Sequence, residues 1–305
     1  MGKTLKRYRA ATFEENISLP VNMIVEVTNA CNHACIFCAH DKMKRKVGML
    51  DMDLYRSVAK QAYEGGTREI GFYMTGEPLM NNRLIDYVSY AGELGFEYIY
   101  ITTNGALATP DKMKDLIKAG LNSIKFSINA GTAETYKLIH GRDDFDKVIA
   151  NLKALSEYVR SEKPDVGLFV TCIACKQNQN ELQLLKELVG PYVDDVTMPE
   201  AYNQGGNMYE IKDGIMLDPD YKPMKAPCSM LFNRLHVTCE GYLNACCVDF
   251  ENDLVVADLH EMSLLEAWNS VKMRNLRKMH LNKDIPKGVM CYNCIHNENE
   301  EIQPL

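Results

Sequence analysis

The strongest restriction on how this chain folds is a regular alternation of two periodicities. Between residues 21 and 198, six short runs rich in β-branched and aromatic residues recur: NMIVEVT (22–28), EIGFY (69–73), EYIYIT (97–102), SIKFSI (123–128), GLFVTCI (167–173) and DDVTM (194–198). The stretches between them carry apolar residues at helical spacing, as in FDKVIANLKALSEYVR (145–160). TPDKMKDLIKAG is the clearest helix, with Thr109 as N-cap, Pro110 at the first helical position and Gly120 as the stop. Six strands alternating with helices predict an α/β fold on a parallel sheet, either curved into an open barrel or doubly wound.

The polar signatures all follow strand ends. A cysteine loop follows the first strand, TGEP (75–78) the second, TNG (103–105) the third, SIN (127–129) closes the fourth, CKQNQN (175–180) follows the fifth and PEAYNQGG (199–206) the sixth. Parallel α/β sheets bind ligands at the carboxyl ends of their strands. Six segments therefore converge on one mouth, with Glu200, Tyr202 and Asn203 among its expected lining.

Eleven cysteines require an explanation. A chain of 305 residues needs no disulfide staples to form a core. The N-terminus lacks the apolar stretch of a signal peptide, and no apolar run reaches membrane-spanning length. The expected location is the cytoplasm, where thiols stay reduced and clustered cysteines read as metal or iron–sulfur ligands. A net charge of −7 suggests no nucleic-acid groove, and no membrane partner is expected. Cys31, Cys35 and Cys38 stand as C-x3-C-x2-C, too few for a closed four-ligand site. Two readings follow: an iron–sulfur cluster with one open iron, or a zinc site completed by His33 or His40. Cys172 and Cys175 fall on a strand three apart, point to opposite faces, and are expected to be buried apolar side chains.

Residues 1–20 read as an N-terminal extension, 21–200 as the barrel, 201–227 as a linker or lid, and 228–305 as a compact C-terminal unit. In that unit NRLHVTCEGYLNACCVD suggests a hairpin turning at Glu240-Gly241, and SLLEAWNSVKMRNLRKMH suggests one helix with Ser263 and Glu266 in capping-box spacing. Cys228, twelve residues, Gly241, four residues, Cys246, and then Cys291 and Cys294 offer four thiolates, enough for a closed site: a cluster, or a zinc-ribbon-like structural site.

The C-x3-C-x-aromatic-C after strand one and Gly76-Glu77-Pro78 after strand two resemble the radical S-adenosylmethionine (SAM) superfamily, and the C-terminal cysteines resemble its twitch auxiliary-cluster domain, a shortened relative of the SPASM domain. The resemblance implies a partial (β/α)6 radical SAM barrel with a small C-terminal twitch domain. It implies a [4Fe–4S] cluster on Cys31, Cys35 and Cys38, with SAM on its open iron, and one auxiliary [4Fe–4S] cluster on Cys228, Cys246, Cys291 and Cys294. It implies reductive SAM cleavage by electrons from a protein such as flavodoxin or ferredoxin, and hydrogen abstraction from an unactivated carbon. By the same resemblance Gly76, Glu77 and Pro78 meet the SAM amino group, Ser127 and Asn129 reach the ribose, Phe37 lies against the adenine, Arg142 stands near the SAM carboxylate, and Thr103 and Asn104 complete the binding loops; for Glu77 and Thr103-Asn104-Gly105, a helix-start charge and a plain turn remain the alternatives.

Cys246 and Cys247, read as strand neighbours, face opposite ways, so Cys247 could enter the active-site cavity. The family's formylglycine-forming members carry Asp there, whereas this chain has Cys. Two outcomes stay open: dehydrogenation with Asp249 as base and the auxiliary cluster as electron acceptor, or epimerisation with Cys247 or Cys239 returning hydrogen. The expected substrate is a sugar or aminocyclitol-type small molecule, because only thirty residues precede Cys31, too few for a leader-peptide recognition domain. A ribosomal peptide side chain is the alternative substrate, and a non-catalytic iron–sulfur or zinc protein the alternative of another class.

Overall fold

The computed structural model describes residues 17–305 apart from Lys163 and Pro223, so residues 1–16 of the expected extension lie outside the described residues. The six expected strands form where the sequence placed them: β1 Asn22–Val25, β2 Glu69–Phe72, β3 Tyr98–Thr103, β4 Ser123–Ser127, β5 Gly167–Thr171 and β6 Asp195–Thr197. Helices α1 Met52–Glu64, α2 Leu84–Leu94, α3 Pro110–Lys118, α4 Ala133–His140, α5 Phe145–Glu162 and α6 Leu182–Val189 alternate with them. Within this half of the sheet the spatial order is β6-β5-β4-β3-β2-β1, all parallel. The order never reverses, which selects the barrel over the doubly wound alternative, where a switch point is required.

Alternation along the strands sorts the side chains. Met23, Val25, Ile70, Phe72, Ile99, Ile101, Ile124, Phe126, Leu168 and Val170 join one buried apolar core with the helices. The other face is polar. There Tyr100 donates to Asn22 Oδ1 at 3.0 Å, and Asn22 donates to Glu69 at 2.8 Å.

The C-terminal unit continues the same sheet. After short helices α7 Ile211–Gly214 and α8 Met230–Asn233 come β7 Arg234–Val237, β8 Tyr242–Asn244 and β9 Val255–Asp258. β7 pairs with β1 in parallel, and β8 and β9 follow antiparallel, so β1 is flanked by β2 on one side and β7 on the other. The Glu240-Gly241 turn forms as expected, with Gly241 at φ +88°. The single helix expected over 263–280 is instead two, α9 Leu264–Trp268 and α10 Val271–Asn282. The capping box of Ser263 and Glu266 starts the first. Ser270 caps the second by accepting from the Met273 N–H, while the Asn269 side chain turns away to bond the Ile17 backbone. Helix α11, Met290–His296, carries Cys291 and Cys294.

Candidate active site

The loop after β1 is clamped by its neighbours. Ala34 and Ile36 donate backbone N–H groups to His140 and Ile139 at 3.1 and 2.9 Å, which docks the cysteine loop on the end of α4. The Glu77 N–H reaches the Ala30 carbonyl at 2.8 Å, and Asn104 Nδ2 donates to Asn32 Oδ1 at 2.8 Å. A Cβ on Gly76 would stand 2.5 Å from the Thr28 oxygen and 2.6 Å from that of Ala30, so only glycine lets the β2 loop close on the cysteine loop.

Below these loops lies a buried ion network. Glu26, fully buried, accepts from Thr75 Oγ1, from the Cys239 N–H at 3.0 Å and from Arg45 Nη2 at 2.6 Å. Arg45 also bonds Glu240 at 2.7 and 2.9 Å. One carboxylate thus ties together the ends of β1, β2 and β7 and the segment after Cys38. The sequence carried a signal for it, a lone charge inside the apolar VEV run, which our reading passed over.

A cavity of about 230 Å³ opens at the strand ends, bordered by Cys31, Cys35, Cys38, Phe37, Glu77, Thr103, Asn104, Ser127, Asn129, Glu200 and Tyr202. Glu77 accepts from Thr103 Oγ1 at 2.8 Å and from the N–H groups of Asn104 and Leu79 at 2.7 and 3.0 Å. Burial nevertheless raises its pKa to about 6. Burial also holds the three thiols above their ordinary range, Cys31 at about 11. Only a bound cationic centre would make such thiols thiolates.

Several expected site residues have other duties. Pro78 is buried at the start of a short helical turn and does not border the cavity. Arg142 donates to the Asn32 carbonyl at 2.7 Å from outside the cavity. Asn129 borders the cavity, but its Oδ1 accepts from the Ile173 N–H at 2.7 Å and its Nδ2 meets His140 Nε2 at 3.1 Å. Asp249 borders neither cavity: fully buried, it accepts from Asn244 Nδ2 at 2.7 Å and from the backbone N–H groups of Leu254, Asp253 and Glu251, pinning the loop after β8. Cys239 borders neither cavity and sits by Arg45 Nη2 at 3.7 Å. Cys172 and Cys175 are buried in two apolar clusters, as expected, but β5 ends at Thr171, so neither lies on the strand and their facing does not follow from strand alternation.

A second, apolar cavity of about 70 Å³ is bordered by Cys228, Cys246, Cys291 and Cys294, the four thiols read as a closed set. Cys247 borders it as well. β8 ends at Asn244, so Cys246 and Cys247 lie on a turn rather than on opposite faces of a strand. Their thiols interact, and this contact raises the pKa of Cys246 and lowers that of Cys247. His280 borders the same cavity. Its Nδ1 accepts from the Cys228 N–H at 3.2 Å, which places its proton on Nε2. Nε2 is buried with no partner, a donor on a residue that borders the four-thiol cavity.

Tyr202 borders both cavities, and the residues after it join them. Gln204 bonds the backbone of Phe37 and Ala39, while Asn203 donates to the Asn293 carbonyl at 3.0 Å, between Cys291 and Cys294. Part of the segment expected as a linker or lid borders the cavity through Ala201, Tyr202 and Gln204 and packs on the cysteine loop; Ala201, Met208 and Ile211 share a buried cluster with Phe37. Gln204 was absent from the sequence-based site, because nothing in its local pattern marks it.

The donor sets fit clusters better than zinc. Tetrahedral zinc with Zn–S near 2.3 Å brings its thiolates to about 3.8 Å from one another. Among the described residues neither the first three thiols nor the C-terminal four form a group within 4.8 Å. His40 is bonded to the Asn29 carbonyl at 2.7 Å, and His33 groups within 4.8 Å with Cys35 and His140 but not with Cys31 or Cys38, so neither histidine completes the three-thiol set.

A parallel partial barrel whose strand ends hold three open thiols, with a four-thiol site beside them, defines a class. Residues 25–188 match the model of the radical SAM superfamily, and residues 228–295 match SPASM, an iron–sulfur cluster-binding domain; the chain belongs to the radical SAM superfamily. Its cofactors are a [4Fe–4S] cluster with SAM and an auxiliary iron–sulfur cluster. Similar proteins include a probable GTP 3',8-cyclase of Saccharolobus solfataricus, 34% identical over 130 residues, 43% of this chain and 42% of that protein, so the chain spans less than half the length of that relative. Similar solved structures include BtrN in complex with AdoMet and 2-DOIA, at TM-score 0.58 and 21% identity over 86% of this chain and 87% of that one. Streptococcus suis SuiB bound to precursor peptide SuiA aligns at TM-score 0.69 and 14% identity, covering 90% and 71%. These likenesses show the fold. Among the described residues no helix is long and apolar enough to cross a membrane.

Proposed function

We propose that this radical SAM enzyme dehydrogenates a hydroxyl-bearing carbon of a sugar or aminocyclitol-type small molecule. The observation that carries the choice over epimerisation is where the thiols stand. Cys239 borders neither of these two cavities, and Cys247 borders the auxiliary cavity beside Cys246 rather than the SAM-side cavity. A thiol returning hydrogen must reach the substrate carbon, whereas an electron acceptor need only lie close by. Tyr202, common to both cavities, is the wall across which the substrate's second electron would pass.

Bound to its cluster, SAM supplies the carbon radical that takes the first hydrogen atom. The chain's part is to seat the substrate among Thr102, Thr171 and Glu200, which offer hydroxyls and a carboxylate suited to a polyol or amine. With SAM and the clusters bound, dehydrogenation would remove one hydrogen atom, one electron and one proton from the substrate, and Glu200, which borders the SAM-side cavity, replaces Asp249 as the base candidate. BtrN, whose structure contains 2-DOIA, supports the small-molecule reading; SuiB, bound to its precursor peptide, keeps a peptide as the second reading.

Turnover in deuterated water decides. An oxidised product without deuterium on the reacting carbon is expected. Deuterium at that carbon of an unoxidised product, lost in Cys247→Ala, would establish epimerisation instead.

A further inference from the structure

Beside the SAM-side thiols runs a chain of buried polar contacts whose proton positions are fixed by geometry. It starts at Asn129. The Oδ1 of that residue accepts from the Ile173 N–H at 2.7 Å, which sets the amide orientation and leaves Nδ2 as a donor. Nδ2 and the Asn129 backbone N–H both point at His140 Nε2, at 3.1 and 3.3 Å. Two donors on one ring nitrogen require a lone pair there, so the His140 proton sits on Nδ1. That Nδ1–H faces two acceptors, His33 Nδ1 at 3.1 Å and Cys35 Sγ at 3.6 Å. Accepting at Nδ1 leaves the His33 proton on Nε2, and Asp144 Oδ2 lies 3.3 Å from that atom. His140 thus accepts two donors at Nε2 and shares its one proton at Nδ1 between two acceptors.

We propose that His140 is a positioning residue whose Nδ1–H, shared between His33 Nδ1 and the Cys35 sulfur, tunes the reduction potential of the SAM-binding cluster. Hydrogen bonds to cluster sulfurs withdraw electron density and raise the potential. Asn129 and Asp144 fix the direction of that bond from either end. Both His33 and His140 are buried, so water does not replace the donor. The ring of Tyr136, stacked at 3.9 Å, and the backbone bonds from Ala34 and Ile36 keep His140 against the cysteine loop. Nothing here depends on the substrate proposed above.

The test is an anaerobic redox titration of the full chain with both clusters loaded, followed by electron paramagnetic resonance. The SAM-binding cluster is the one whose signal changes on adding SAM. In His140→Phe with wild-type iron content, its potential is expected to become more negative while the auxiliary cluster's stays put. Unchanged potentials would overturn the proposal, as would equal shifts of both clusters. Should His140→Phe fail to take up iron, the wild-type protein labelled with 15N at histidine alone decides the matter. A 15N coupling to the reduced SAM-binding cluster supports the bond, and its absence refutes it.

Discussion

The carboxamide of Gln204 grips the cluster loop at two points: its Nε2 donates to the Phe37 carbonyl at 2.9 Å, and its Oε1 accepts from the Ala39 N–H at 3.2 Å. The residue before it, Asn203, bonds the helix that carries Cys291 and Cys294. One short segment thus fixes the spacing between the two cluster sites, 167 residues from the loop it holds.

Gln204→Ala is therefore expected to destabilise the protein by about 2 kcal/mol, since both partners lose a bond in a partly buried place. Gln204→Glu, which cannot donate to Phe37, should cost at least as much. Anaerobic urea unfolding measures both. A variant with a wild-type midpoint would mean that the grip contributes nothing.

Arg45 and Glu26 form a buried ion pair, and Glu26 has no exposed surface. Removing one partner of such a pair strands the other, at a cost of about 3–5 kcal/mol. Arg45→Ala should show that loss in the same unfolding experiment. Arg45→Met with Glu26→Gln should recover part of it, because the fully buried charge of Glu26 is then gone and Glu240, which loses its partner too, keeps some contact with water.

Glu77 gives a pH dependence with a definite sign. Folding raises its pKa from 4.5 to about 6 through burial. Its protonation thus contributes stability that is complete below about 4.5 and is lost as the pH rises through about 6. SAM binding runs the other way if the carboxylate receives the ammonium group. Affinity measured by calorimetry should then fall about fourfold between pH 7.5 and 5.5, from the fraction of Glu77 ionised. Glu77→Gln should flatten that profile; an unchanged slope would remove Glu77 from the SAM site.

The thiol sets separate by iron content. Anaerobically reconstituted wild type should hold about eight irons as two cubanes. Replacing Cys31, Cys35 and Cys38 by Ala should leave about four and abolish SAM cleavage, while replacing Cys291 and Cys294 should leave about four that still bind SAM. Zinc at either site, found by elemental analysis of freshly purified protein, would contradict the assignment.

Local pattern carried far in this chain. All six barrel strands and the capping box at Ser263 were legible because they depend on neighbours a few residues apart. The break between α9 and α10 was not, since Asn269 spends its side chain on Ile17, 252 residues away. Cys246 and Cys247 were misread for a related reason. Their facing follows from where β8 stops, and β8 stops where Asp249 gathers the loop behind it.

The alternation of strands and helices and the spacing of the seven cysteines expected as cluster ligands were legible in short stretches of chain, because periodicity and spacing are local; the spatial order of the strands then selected the barrel. Only the tertiary structure decided which groups surround those thiols. The proton direction in His140, the grip of Gln204 and the withdrawal of Asp249 and Cys239 from the site each depend on partners brought together from distant segments. A side chain's hydrogen bonds are fixed by what packs against it, and no local pattern encodes that.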